Sequence, residues 1–177
     1  LGISFLEEIV NSRGITESGQ ILNELRREIK RALHQKGARL EQKDGMDIAL
    51  CVIDKQHNSL QYSGAFNSLY IAGNGTLTEY PADRMPIGIF EKSDNKFTTK
   101  NIQIAPGDMI YMFSDGYADQ FGGPENKKFF TKRFEDLLAD ISVYPLAEQK
   151  DILKNTLYDW MGQNSQVDDI LVIGVRT

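Results

Sequence analysis

Apolar residues recur along this chain first at helical spacing, then at strand spacing, and then at helical spacing again. Ile3, Leu6 and Val10 share one face and predict a helix over 1–10, which Asn11 to Gly14 break. Ile21, Leu22, Leu25, Ile29, Ala32 and Leu33 form a second stripe and predict a helix over about 19–36. Ser18 is its expected N-cap and Gly37 its left-handed C-cap, with Arg26, Arg27, Lys30 and Arg31 on the solvent side. Past Gly37 the period changes. The apolar run 48–53 reads as a buried strand, 54–58 as a hairpin loop, and 60–63 and 68–72 as returning strands. Asn74-Gly75 is the strongest hairpin signal, with 77–80 coming back. Strands are expected over 97–104 and 109–113, joined by the turn Pro106-Gly107-Asp108. Helices follow over 132–141 and 145–161, with Pro145 at a first helical position, and a last strand over 170–175. Strands joined by short hairpins are antiparallel. The pattern therefore predicts an α+β fold of antiparallel sheets layered with helices, and not a doubly wound parallel sheet.

With 177 residues, 41% of them hydrophobic, the chain is sized for one domain with a substantial core. The net charge of −5, with no concentrated basic patch in the sequence, argues against nucleic acid as a partner. The single cysteine, Cys51, allows no disulfide within the chain, so a reducing, cytoplasmic setting is expected. No run of about eighteen apolar residues is present to span a membrane, and there is no signal peptide, although a longer parent protein could still be anchored. Leu1 opens directly on a helical pattern without an initiator methionine, so a piece of a longer protein is expected.

Two segments carry candidate chemistry. The apolar strand Met109-Ile-Tyr-Met-Phe ends in Ser114-Asp115-Gly116, which holds the Asp115 carboxylate at a sheet rim while Gly116 lets the chain turn away. Asp168 and Asp169 stand immediately before the last strand. Taken singly, the first also reads as an ordinary Asp-Gly turn and the second as a solvated loop. Taken together, they place carboxylates at two strand ends, with enough chain between them for two helices. That arrangement suits hard cations such as Mg²⁺ or Mn²⁺. Zinc is disfavoured, because His34, His57 and Cys51 lack ligand spacing. Asp44-Gly45-Met46-Asp47 also resembles a metal motif, but a turn before a strand is its simpler reading. His34 and His57 read as surface residues, and Cys51 as core.

Ser114-Asp115-Gly116-Tyr-Ala-Asp119 resembles the SDG motif of metal-dependent, 2C-type (PPM) Ser/Thr protein phosphatases, closest to their bacterial SpoIIE/RsbU-like branch. Asp168-Asp169 is similar to that branch's DD motif, Met85-Pro86-Ile87-Gly88 to its PLG segment, and Pro106-Gly107-Asp108 to its pGD turn. Tyr62-Ser-Gly64-Ala65-Phe66-Asn67 resembles a strand usually written A-G-H-N, but has Ala65-Phe66 in place of Gly-His. The resemblance runs in order along essentially the whole chain. It implies an αββα sandwich of antiparallel sheets flanked by helices, with a binuclear Mn²⁺ or Mg²⁺ centre. It implies hydrolysis of phosphoserine or phosphothreonine on a protein, typically a STAS-type anti-anti-sigma factor, by a water made nucleophilic at the metals and without a phosphoenzyme. Asp115 and Asp168 would be the catalytic metal ligands, Asp169 a ligand or neighbour, and Gly116 part of the same rim. The family's first ligand, in a D-x-x-G-H-G segment, does not occur among these residues. The expectation is thus a single phosphatase domain over 1–177 lacking its N-terminal strands and first metal motif, belonging behind a sensory domain. Alone it should be weakly active and prone to pair with a second copy. The alternative is a pseudophosphatase that only binds a partner.

Overall fold

The computed structural model describes residues 1–34, 45–89 and 95–177. They fall into two compact units, one spanning Leu1–Leu69 and Pro81–Ile104, the other Tyr70–Tyr80 and Ala105–Thr177. Each unit has an antiparallel sheet covered by helices, so the expected α+β class is the one observed.

In the first unit, α1 (Gly2–Glu7) runs into a π-helical turn at Glu8–Ser12, and α2 (Ser18–Ala32) follows. Strands β2 (Ile48–Asp54), β3 (Ser59–Ala65) and β7 (Lys100–Gln103) make a three-stranded sheet in the order β2-β3-β7. A two-residue strand β1 (Gly45–Met46) pairs with β6 (Ile87–Gly88), the middle of the segment that resembles PLG. The stripe on α2 does what its spacing predicts: Ile21, Leu22, Leu25 and Ile29 are buried, and Leu50 and Val52 of β2 pack against the same cluster.

Several boundaries differ from the sequence reading. The N-cap of α2 is Glu17, whose carboxylate accepts from the backbone N–H groups of Gly19 (3.3 Å) and Gln20 (2.8 Å). Ser18 is instead buried, its hydroxyl 2.8 Å from that of Ser63. The helix stops at Ala32, Leu33 is exposed, and the left-handed residue is His34 (φ 51°); Gly37 lies outside the described residues. Arg26 is buried rather than solvated. Its guanidinium donates to the Asn95 carbonyl and lies 4.9 Å from the centre of the Phe97 ring, so a neighbouring carbonyl and aromatic face take the place of water. Strand β2 is half-buried and outermost in its sheet, and Cys51 on it is half-buried as well.

In the second unit, β4 (Leu69–Gly73), β5 (Thr76–Tyr80), β8 (Met109–Phe113) and β11 (Val172–Arg176) form a sheet in the order β11-β8-β4-β5. Asn74 (φ 51°) and Gly75 (φ 74°) make the two-residue hairpin that Asn-Gly predicts, both in the left-handed region. Helices α4 (Thr131–Ile141) and α5 (Leu146–Met161) cover one face, where Tyr111, Tyr117, Phe134 and Leu138 are buried. Two elements have no counterpart in the sequence reading. One is the single-turn helix α3 (Gly116–Asp119), and the other is a hairpin of β9 (Phe121–Gly122) with β10 (Lys127–Lys128). The last residue is stitched to the turn before β8: the Thr177 backbone N–H donates to the Asp108 carbonyl (3.0 Å) and the Gly107 N–H donates to the Thr177 carbonyl (3.0 Å).

Candidate metal centre at the end of strands β8 and β11

Strands β8 and β11 are antiparallel neighbours, with Phe113 opposite Val172 and Met109 opposite Arg176. The residue that leaves β8 and the residues that enter β11 therefore meet at one end of the pair. Asp115 lies two residues beyond the end of β8, and Asp168 and Asp169 stand four and three residues before the start of β11. All three are exposed.

Ser114 holds this junction together. Its backbone N–H donates to the Leu171 carbonyl (3.0 Å), its hydroxyl donates to the Asp169 carbonyl (2.8 Å), and the Leu171 N–H donates to the same hydroxyl oxygen (2.9 Å). Gly116 closes it from the other side. A Cβ built there would sit 2.4 Å from the Asp169 carbonyl oxygen, so only glycine lets the two segments approach this closely. Asp115 occupies the position before α3 without its side chain capping that helix. Among the described residues nothing hydrogen-bonds its carboxylate, which leaves it available at the rim. Asp168 spends one oxygen on the Asp169 N–H (2.7 Å), and the Gln166 amide donates to its backbone carbonyl (2.6 Å).

The loop that carries the two acids is fixed from below by Gln120, a fully buried side chain. Its amide donates to the carbonyls of Phe121 (3.1 Å) and Ser165 (3.0 Å), and its oxygen accepts from the Val167 N–H (3.3 Å). Neither Gln120 nor the bonding role of Ser114 carries a sequence signal, because glutamine and serine are common at surfaces. Only the position of Ser114 inside the SDG string points to it.

The other sequence candidates lie elsewhere. Asp44 falls outside the described residues, and Asp47 is an exposed residue between β1 and β2 of the first unit. Also in that unit, Phe66, at the departure from A-G-H-N, is exposed and takes a left-handed φ of 59°. His57 is exposed, with Nδ1 2.7 Å from the Asp54 carboxylate, a contact that holds the Asp54 carboxyl below its ordinary range.

The donor set at the rim is all oxygen and anionic, the chemistry of a hard divalent cation. The described residues contain no group of three or more His, Cys, Asp or Glu side chains able to hold a metal.

The model of the family Stage II sporulation protein E (SpoIIE) matches residues 4–177, nearly the whole chain. The chain belongs to the SpoIIE family. Among solved structures, this SpoIIE-family chain is similar to the SiaA-PP2C domain of Pseudomonas aeruginosa, with 28% identity and a TM-score of 0.86, covering 100% of this chain and 68% of that one. It is similar in fold to the PP2C phosphatase domain of SpoIIE from Bacillus subtilis, at 21% identity and a TM-score of 0.71, covering 99% of this chain and 48% of that one. It also shares the fold of RsbX solved in complex with magnesium, at 12% identity and a TM-score of 0.63, covering 98% and 71%. A comparison with curated protein sequences gives no match. The PPM phosphatase fold expected from the motifs is therefore that of the chain's relatives.

Proposed function

We propose that this SpoIIE-family chain carries part of the active site of a protein serine/threonine phosphatase, with Asp115 and Asp168 as ligands of Mn²⁺ or Mg²⁺ and Asp169 beside them. The observation that supports the reading is that the segments carrying these acids meet at one end of the β8–β11 pair. A bound divalent cation would supply charge to polarise a phosphate ester and to acidify a coordinated water. The chain's own residues do the positioning. Asp115 presents an uncommitted carboxylate at the rim, Ser114 locks the β8 end to the β11 entry, and Gly116 permits that approach. The anti-anti-sigma class of substrate, an upstream sensory domain and a cytoplasmic setting belong to the same reading, supported by family membership and the single cysteine. Among the described residues no helix is long and apolar enough to cross a membrane. Because no D-x-x-G-H-G segment lies within the 177 residues, this polypeptide alone should turn over slowly.

The test is hydrolysis of p-nitrophenyl phosphate with and without Mn²⁺, by this chain and by one extended upstream by on the order of forty residues, roughly a strand pair with its connection. We expect Mn²⁺-dependent turnover from the longer chain, abolished by Asp115→Asn, and little from the shorter. The substitution of Ala65-Phe66 for Gly-His favours a second reading, a non-catalytic module that binds a partner. Silence from both chains would support that reading and sink the first.

A further inference from the structure

Next to the rim, a pocket of about 290 Å³ opens between the β9–β10 hairpin, the start of α4 and the end of α5. Its lining is predominantly basic and aromatic: Lys127, Lys128 and Arg133, with the single acid Glu125, stand around Phe130 and Trp160. In a chain with a net charge of −5 this is a local reversal of sign. The two lysines already have partners, Lys127 with Glu125 and Lys128 with Asp119 at 2.8 Å. Arg133 has no carboxylate partner among the described residues. Its guanidinium instead lies 4.3 Å from the centre of the Trp160 ring and 5.5 Å from that of Phe129. A guanidinium stacked on an aromatic face keeps its in-plane N–H groups available, and these match carboxylate and phosphate oxygens.

Phe130 adds an apolar contact point. It is 53% exposed and holds φ 70°, ψ 143°, a region that glycine adopts readily and phenylalanine does not. Backbone bonds on both sides enforce it, from the Phe130 N–H to the Ala118 carbonyl (2.8 Å) and from the Phe134 N–H to the Phe130 carbonyl (3.2 Å). The pocket also borders the rim through bonded neighbours: Lys128 holds Asp119, whose N–H donates to the Asp115 carbonyl at 2.9 Å.

We propose that this pocket docks an acidic, leucine-like segment of the phosphoprotein substrate. A carboxylate of that segment meets Arg133, a second takes the place of the exposed Glu125 on Lys127, and an apolar side chain rests on Phe130. The identity of the partner as a substrate rests on the phosphatase reading; the chemistry of the segment rests on the pocket. A small phosphate ester carries no second segment to occupy the pocket, whereas a protein does, so the pocket would favour protein over small-molecule substrates.

Trp160 is the sole tryptophan of the chain, so its emission reports occupancy of this pocket directly. The probe is a short synthetic peptide of alternating glutamate and leucine around one phosphoserine, titrated into the 177-residue chain without metal. The comparison probes are the same peptide with glutamine for glutamate, and a single-stranded thymidine oligonucleotide. We expect a saturable change in Trp160 emission with the acidic peptide. Binding should be about tenfold weaker for the glutamine peptide and for Arg133→Glu, and weaker in the same direction for Lys127→Glu, with circular dichroism unchanged. Should Arg133→Glu fail to fold, Lys127→Glu decides. Undiminished affinity in a folded charge-reversed variant, no response to the acidic peptide, or equal binding of the oligonucleotide would overturn the proposal. Since no metal is present, these outcomes stand apart from turnover: docking of the peptide by the 177-residue chain, with no hydrolysis of p-nitrophenyl phosphate by the upstream-extended chain, would refute the phosphatase reading alone.

Discussion

At Gly116 there is no room for a methyl group, because the carbonyl of Asp169 occupies the space where it would go. The obstacle is backbone, which cannot swing aside as a flexible side chain would. Gly116→Ala is therefore expected to destabilise the second unit by about 1–3 kcal/mol, read from denaturant unfolding, and to weaken Mn²⁺-dependent activity in the extended chain by separating Asp115 from Asp169. Cys51 gives a second check on a single side chain. Burial pushes its thiol up to about 12, against the ordinary thiol range. At about pH 8 roughly one native thiol in ten thousand would be ionised, against about a quarter of unfolded ones, so Ellman's reagent should react on the order of a thousandfold faster after denaturation. Burial favours the neutral thiol, so its contribution to stability is complete below the unfolded value and is lost as pH rises from about 9 towards 12. Comparable rates in native and denatured protein would show that β2 is open to solvent.

Among the elements, α2 is the clearest test of what a pattern can and cannot specify. Its buried face is written in the spacing of Ile21, Leu22, Leu25 and Ile29, because burial demands apolar side chains at helical period. Its start is not, since either Glu17 or Ser18 can cap a helix. Ser18 is diverted by Ser63, a residue far along the sequence whose approach is decided by tertiary packing. Glu17→Ala should cost about 1 kcal/mol in unfolding free energy and fray the first turn, visible as faster amide exchange at Gly19 and Gln20; unchanged exchange would argue that the glutamate does not cap. The same division holds at the rim. The strand-end positions of Asp115 and Asp168-Asp169 were legible because an apolar strand that stops at acids is a local feature. The Gln120 clamp was not, because its three partners lie in two separate segments and glutamine has no characteristic spacing. Short elements such as α3 and the β9–β10 pair also escape periodicity, which needs more than one turn or a few alternations to register, although Gly122-Gly123-Pro124 is a turn signal in hindsight.

For the molecule as a whole, each of the two main sheets has two outer strands that are unpaired on one side among the described residues, β2 and β7 in one and β11 and β5 in the other. On β11 and its entry, Leu171, Ile173 and Val175 are 58%, 41% and 36% exposed, an apolar row beside open backbone N–H and C=O groups. Such an edge pairs readily with another chain. This supports the proposal that the 177-residue polypeptide self-associates through a second copy. Light scattering should give a mass above the monomer that rises with concentration, and Ile173→Lys should lower it; a monodisperse monomer at high concentration would rule the idea out. The stitching of Thr177 to the turn before β8 bears on how such experiments are built. The chain's last residue sits at the opposite end of the β8–β11 pair from Asp115, with the five residues of β11, about 17 Å of strand, lying between the two ends. A surface-immobilisation tag or fluorescent fusion placed there would project from the far end, leaving the carboxylate rim and its neighbouring basic pocket facing the solution.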